Sequence, residues 1–362
     1  MKTLNSIILD VVSKNSPQDE TINDLRELVS LTETVGGIVI KKIIQKRGRP
    51  SPKTYLGSGK AFEASEVAKA LKTDVIICNT ILKPNQIMAL KDIFHMEIWD
   101  RVDLILNIFD KHAKTDEAFL QIKLARLRHE FPKLYARQAE TLFERAGAGI
   151  GTRGAGEKGI EDEKRHLRSR IIDLEKKIAE FALVRSNQRK NRKKAGKKSV
   201  SLVGYTNAGK SSLLKALTKK DVYIADELFA TLDNRIGKLW LQDLHDTVLL
   251  SDTIGFIRDL PPFLISSFKA TLEEVLESDL ILHVIDVSDP AMLNKIDVVL
   301  GILDDLGLKK PRILNVFNKV DMVKRKRIRL PRRKFFKNPI IVSSLTRQGL
   351  EELKLRIALE FV

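Results

Sequence analysis

The chain has 362 residues, 43% of them apolar, which excludes wholesale disorder and exceeds what one ordinary core accommodates. Its 64 Lys+Arg against 47 Asp+Glu give a formal charge of +17, a balance that favours a polyanionic partner. The single cysteine, Cys78, rules out a disulfide framework within the chain and suits a reducing compartment. No apolar run reaches membrane-span length, and "MKTLNSIILDVV" lacks a signal peptide's apolar region and cleavage site. A soluble, cytoplasmic monomer without a membrane span is expected.

The first region, 1–113, alternates short apolar runs with helical patterns: "SIILDVV", "DLRELVSL", "GIVIKKII", "FEASEVAKAL", "DVIICN", "NQIMALKDIF", "MEIWD" and "VDLILNIF". That alternation predicts a small α/β layer with mostly parallel strands. Cys78 reads as core. "YLGSGK" (Tyr55–Lys60) offers glycines before a helix but no acidic metal ligand to go with them, so it reads as a structural turn.

The second region, 114–194, changes period. Leu120, Leu124, Leu127, Phe131 and Leu134 make one apolar stripe, and Leu167, Ile171, Leu174, Ile178 and Phe181 make another. Such stripes predict two long helices packed as an antiparallel hairpin. Pro132 is expected to kink or restart the first. Glycine-rich "RAGAGIGTRGAGE" (Arg145–Glu157) between them reads as a flexible tip. The acid-free segment "RSNQRKNRKKAGKK" (Arg185–Lys198) reads as a linker.

The third region, 195–362, is α/β again, with "SVSLVG", "GKLWLQ", "TVLLSD", "LILHVID", "RILNVFNK" and "PIIVSS" separated by helical stretches. Here "GYTNAGKSSL" (Gly204–Leu213) fits G-x-x-x-x-G-K-[ST] between a strand and a helix. In that motif the loop backbone, here Gly204, Tyr205, Thr206, Asn207, Ala208 and Gly209, closes around a β-phosphate at a helix N-terminus. Lys210 reaches the β/γ oxygens, the Ser211 hydroxyl ligates Mg²⁺, and Ser212 follows in the first helical turn.

Later motifs select guanine. "NKVD", with Asn318, Lys319 and Asp321, follows an apolar strand. A carboxylate at Asp321 accepts both N1–H and N2–H₂ of guanine, a donor pair adenine lacks. Ser343, Ser344 and Leu345 suit a loop over the base. "DTIG" supplies Asp252 near Mg²⁺ and Gly255, whose N–H meets the γ-phosphate. Thr231 in "LFATLD" is the expected switch threonine on Mg²⁺. Lys210, Thr231 and Gly255 are thus the catalytic candidates. Ras-like enzymes place a water-orienting glutamine after the D-x-x-G glycine; here Phe256 stands there. Either hydrolysis is very slow, or the water is oriented by backbone, another residue or a partner. Asn207 matches an asparagine that helps bind K⁺ in several GTPases lacking the glutamine. K⁺ dependence is one reading and a loop-stabilising asparagine the other.

"GYTNAGKSSL", "LFATLD", "DTIGFIRDLP", "ATLEEVLESDLILHVIDVSDP" and "NKVD" together resemble the HflX family of translation-factor-related GTPases. Upstream, "YLGSGK", "DRVDLILNIFDKHAKTDEAFLQIKLARL" and "GIGTRGAGE" extend the likeness over most of the chain beyond residue 50. The resemblance implies an α/β fold in three parts: an N-terminal α/β subdomain, a helical hairpin, and a P-loop GTPase domain with a doubly wound, mostly parallel sheet. It implies a GTPase with Mg²⁺ and GTP/GDP that binds the large ribosomal subunit, splits ribosomes or rescues stalled ones under stress, and reaches toward rRNA with its glycine-rich tip. On that picture Arg153, Arg189, Lys190, Arg192, Lys193 and Lys194 are RNA-contact candidates, a solvated charge run being the alternative. The basic "KRKRIRLPRRK" (Lys324–Lys334) is a further RNA candidate.

The chain departs from the family pattern at Asn234–Arg235, where Pro-Thr is usual, and at "TRGAGE" and "KGIE", where "TRGPGE" and "TQLE" are usual. It is expected to close with the helix "GLEELKLRIALEF", without the further C-terminal domain of many bacterial members. Six scattered histidines, His283 among them in an apolar strand, suggest no zinc site. The competing readings are a regulatory RNA- or protein-binding GTPase not dedicated to ribosomes, and a structural RNA-binding module with a degenerate nucleotide site.

Overall fold

The computed structural model describes residues 4–14, 17–147, 155–218, 228–229, 235–267, 269–308, 312–323 and 339–362. They form two compact units, one of 1–111 with 119–179, the other of 112–118 with 180–362. Among the described residues no helix is long and apolar enough to cross a membrane.

The first unit is built on a parallel sheet of order β2-β1-β3-β4, from β1 (Leu4–Val12), β2 (Gly37–Lys46), β3 (Val75–Cys78) and β4 (Glu97–Trp99). Helices α1 (Gln18–Val35), α2 (Ser58–Ala70) and α3 (Pro84–Phe94) alternate with the strands, and α4 (Arg101–His112) follows. The apolar runs are continuous rather than alternating because both sheet faces are covered, as parallel sheets require. Ser6–Asp10 of β1 and all of β3 are buried. Ile7, Leu9, Ile76 and Cys78 share a core with Ala61, Ala64, Ala68, Leu90 and Phe94. "YLGSGK" is a turn into α2. The Tyr55 hydroxyl donates to Asp10 Oδ1 at 3.1 Å, and Gly57 N donates to Gln45 Oε1 at 2.8 Å.

Helix α4 opens with a reciprocal capping box. Asp100 N donates to Asp103 Oδ2 at 3.2 Å, and Asp103 N donates to Asp100 Oδ1 at 2.9 Å. Helix α5 (Asp116–Gly147) runs on through Pro132 without restarting. From it His129 Nε2 approaches Asp100 Oδ1 at 3.2 Å and Asp103 Oδ1 at 3.3 Å, and Lys133 pairs with Asp103 at 3.1 Å. Three such ligand atoms could hold a metal ion, but the carboxylates already cap a helix and accept from two side chains. We read the group as an ionic clamp. Helix α6 (Ala155–Lys194) meets α5 through Leu120, Leu124 and Leu127 against Leu167, Ile171, Leu174 and Ile178, the stripes seen in the sequence.

The second unit has a sheet of order β10-β9-β8-β5-β7-β6, parallel except for β6. Its strands are β5 (Ser199–Val203), β6 (Arg235–Leu241), β7 (Asp246–Asp252), β8 (Leu280–Asp286), β9 (Ile313–Asn318) and β10 (Ile340–Ile341). Helices α7 (Lys210–Thr218), α8 (Pro262–Ser267), α9 (Lys269–Leu276), α10 (Met292–Asp305) and α11 (Leu350–Leu359) complete it. Val200, Leu202, Leu213, Leu250, Leu282, Val316 and Ile357 lie in its core. This is a doubly wound α/β sheet, whose ligands sit at the carboxyl ends of the strands.

The linker reading of Arg185–Lys198 needs correction: residues up to Lys194 are the last turns of α6. In the second unit Arg189 pairs with Glu273 at 3.3 Å and Glu274 at 3.9 Å, Arg192 with Glu274 at 2.8 Å, and Lys193 with Glu277 at 3.2 Å. Arg185 pairs with Glu117. Acid-free in sequence, the segment draws its counter-charges from Glu273 and Glu274 of α9, Glu277 just after it, Glu117 of α5 and Asp246 of β7, and its cations suit a helix C-terminus. Arg189 and Arg192, expected on RNA, are therefore partly buried structural arginines. Lys190 and Lys194 are exposed.

Candidate functional site

Residues 204–209 connect β5 to α7, and their path is fixed by close approaches. Gly209, at φ +88°, lies so near the Asn318 side-chain amide that a Cβ would collide with it. Asn207 holds φ +60° at the exposed side of the loop. Lys210, on the first turn of α7, is buried, and its Nζ donates to the carbonyls of Gly204 at 3.2 Å and Tyr205 at 2.9 Å. Burial pulls its pKa down to about 8; Lys319 adds to that and Asp252 opposes it. A phosphate would restore full charge to this ammonium, which is the behaviour expected of a phosphate-binding lysine.

Next to it the Ser211 hydroxyl donates to Asp252 Oδ2 at 2.6 Å. A hydroxyl and a fully buried carboxylate side by side at a helix N-terminus are hard oxygen donors, and the pair fits Mg²⁺. From the end of β7 the main chain returns along the loop. Phe256 N donates to Gly204 O at 3.0 Å, and Thr206 N donates to Phe256 O at 2.8 Å. Gly255 is thereby pressed against the loop; a Cβ there would lie 2.9 Å from Lys210 Nζ and from Thr206 Cγ2. The Phe256 ring is buried and faces no solvent.

The base end is assembled from β9 and the loop after β10. Asn318, fully buried, donates from Nδ2 to Ala208 O at 3.0 Å and accepts from Ser344 N at 3.0 Å on Oδ1. It ties the phosphate loop to the base loop. Lys319 pairs with Asp286 at 2.8 Å. Asp321 is exposed, and the Ser343 hydroxyl donates to its Oδ1 at 2.5 Å while accepting from Thr346 N at 3.0 Å. Leu345 is 81% exposed at the rim.

Three family descriptions match in chain order: GTP-binding GTPase N-terminal over 22–110, GTP-binding GTPase middle region over 112–192, and 50S ribosome-binding GTPase over 199–319. The GTPase HflX of Caldanaerobacter subterraneus subsp. tengcongensis is 45% identical over 88% of this chain and 73% of that protein. The chain belongs to the HflX family of GTPases. HflX of Escherichia coli is 39% identical over 93% of this chain and 78% of that protein, and HflX of Methanocaldococcus jannaschii 35% over 95% and 84%. A crystal structure of SsGBP in complex with GDP aligns over 98% of each chain, with a TM-score of 0.52 and 25% identity.

Within this HflX-family chain, the sequence-predicted residues Gly204, Tyr205, Thr206, Asn207, Ala208, Gly209, Lys210, Ser211, Ser212, Asp252, Gly255, Asn318, Lys319, Asp321, Ser343, Ser344 and Leu345 all lie at the carboxyl ends of one sheet. Thr231, Arg153 and the Lys324–Lys334 cluster lie outside the described residues. Sequence reasoning missed the side chain of Tyr205. Its hydroxyl accepts from Arg258 N at 3.0 Å and Lys295 Nζ sits 4.7 Å from its ring centroid, so it joins the phosphate loop to α10 and to the segment after Phe256. An aromatic residue inside a phosphate loop was the available signal. His283 is a buried strand residue facing Asn315, and burial lowers its pKa to about 4.

Proposed function

We propose that this GTPase docks on the large ribosomal subunit in its GTP form, through rRNA contacts, and splits or rescues ribosomes, with hydrolysis stimulated there and permitting release. The observation that carries the reading is the match of 199–319 to the 50S ribosome-binding GTPase family. The formal charge of +17 supports a polyanionic partner. In this reading 1–113 is an N-terminal subdomain, 114–194 a hairpin whose tip probes RNA, and 195–362 the nucleotide switch. Arg153, Lys190, Lys193 and Lys194 are its rRNA contacts, and the protein works as a cytoplasmic monomer.

In the nucleotide site, loop N–H groups and Lys210 hold the β- and γ-phosphates, Gly255 N–H meets the γ-phosphate, and Asp321 takes guanine's N1–H and N2–H₂. Mg²⁺, when bound with the nucleotide, supplies positive charge at the β/γ oxygens. Ser211 and Asp252 would hold it, with Thr231 as the proposed switch ligand. Asn207, exposed beside the loop, is the proposed K⁺ ligand.

The test measures GTP turnover with and without purified large subunits, beside Lys210→Ala. Stimulation of about tenfold or more, absent in Lys210→Ala, is expected; intrinsic turnover that subunits leave unchanged overturns the reading. Run in K⁺ and in Na⁺, the same assay is expected to favour K⁺ by about tenfold, the size of effect one added positive charge supplies. Equal rates remove K⁺ from the site.

A further inference from the structure

The phosphate loop and the segment after β7 lie side by side as a short parallel pair, Tyr205 against Phe256. Two of the bonds between them are main chain: Phe256 N donates to Gly204 O at 3.0 Å, and Thr206 N donates to Phe256 O at 2.8 Å. The third is not. Arg258 N donates to the Tyr205 hydroxyl at 3.0 Å, a bond that depends on which side chain stands at 205.

That hydroxyl sits where the docked segment ends. Ile257 is buried and Arg258 half-buried, but Asp259 is exposed at φ +56°, and the chain turns away there toward α8. The tyrosine is itself held from the side. Lys295 of α10 places its Nζ 4.7 Å from the ring centroid and pairs with Asp289 at 2.5 Å. A cation over the face of a tyrosine is attracted to the ring, so α10 fixes the position of the hydroxyl. Gly255 stands at the other end of the same segment, pressed against Lys210 and Thr206.

We infer that Tyr205 is a positioning residue for GTP: its hydroxyl holds residues 255–258 down on the phosphate loop, and so sets how often the Gly255 N–H stands where the γ-phosphate meets it. This role rests on the γ-phosphate contact of Gly255 proposed for the nucleotide site. A ligand that binds only one of two arrangements has its apparent affinity scaled by the fraction of protein in that arrangement. GDP has no γ-phosphate and gains nothing from the docked segment. Tyr205 therefore acts on the discrimination of GTP from GDP rather than on nucleotide binding as such, and it does so through Arg258.

The test compares the full-length parent with Tyr205→Phe and Gly255→Ala. Affinities for fluorescently labelled GDP and for a labelled non-hydrolysable GTP analogue are measured, with hydrogen exchange over 255–259. Phenylalanine keeps the buried ring beneath Lys295 and removes only the hydroxyl. The expected result for Tyr205→Phe is an analogue affinity lower by about five- to tenfold, the effect of one hydrogen bond, with GDP affinity within about twofold and faster exchange at 255–259. A purely structural role would lower both affinities together. Equal losses for GDP and the analogue overturn the assignment, as does an analogue affinity that is unchanged or higher. Gly255→Ala separates the two ways of failing, because its Cβ would lie 2.9 Å from Lys210 Nζ and push the segment off the loop. If alanine removes the discrimination and phenylalanine does not, Tyr205 is not what holds the segment. If neither changes it, the γ-phosphate contact of Gly255 falls as well. No ribosome is present, so neither result bears on ribosome docking.

Discussion

Replacing Asn318 with alanine lowers affinity for GDP by about a thousandfold while the second unit keeps its fold. The side chain is fully buried and makes two hydrogen bonds, to Ala208 O and from Ser344 N, both at 3.0 Å. Truncation leaves a carbonyl of the phosphate loop and an amide of the base loop without their partner, at about 1–3 kcal/mol each. The loops respond by leaving the arrangement in which one nucleotide touches both, so the competent fraction falls and the apparent affinity with it. A combined loss of about 4 kcal/mol corresponds to a factor of about a thousand. The apolar cluster of Val200, Leu213, Leu250 and Val316 does not include Asn318, so the thermal midpoint should fall by only a few degrees. Titration with fluorescently labelled GDP decides it. Affinity within about threefold of the parent would show that the loops hold their places without this amide.

The predicted site residues converge at one end of the second sheet because each sits in a short local motif whose spacing fixes its place. Gly209, Lys210 and Ser211 are adjacent in the chain and in space, and Asn318 closes β9 with Asp321 three residues on. The parallel sheets were legible for a related reason: strands covered on both faces read as unbroken apolar runs, as in "DVIICN". Interactions between distant residues were not legible. Arg189 and Arg192 looked like an RNA-binding run because their partners, Glu273 and Glu274, lie more than eighty residues on. Nothing local separates a solvated basic helix from one neutralised by another helix. His129 escaped as one of six scattered histidines, although Asp100 and Asp103 stand at capping-box spacing and could have flagged a charged helix start.

That histidine makes the first unit sensitive to alkaline pH. Burial, the largest influence on His129, lowers its pKa, but hydrogen bonds to Asp100 and Asp103 and their negative charges outweigh it and raise the value to about 9. Burial likewise pushes Asp103 upward, and the bond from His129 and the charge of Lys133 overcome it, holding the carboxyl below its usual range. The groups at the imidazole include the carboxylates of Asp100, just before α4, and Asp103 in its first turn, with Lys133 one turn farther along α5. A native pKa above the unfolded value of 6.5 means that the folded state holds the extra proton between those pH values. The clamp's contribution is complete below about pH 6.5 and is lost as pH rises through about 9. The displacement corresponds to about 3 kcal/mol. Between pH 7 and 9.5, hydrogen-exchange protection of α4 and of the α5 turn around His129, corrected for intrinsic exchange, should fall by about 2 kcal/mol, the part of that contribution lost over this range. His129→Gln keeps a hydrogen-bonding side chain but cannot titrate; its protection should start lower at pH 7 and stay level over the same range. Parallel loss in both proteins would place the alkaline sensitivity elsewhere in the unit and leave His129 neutral in its clamp.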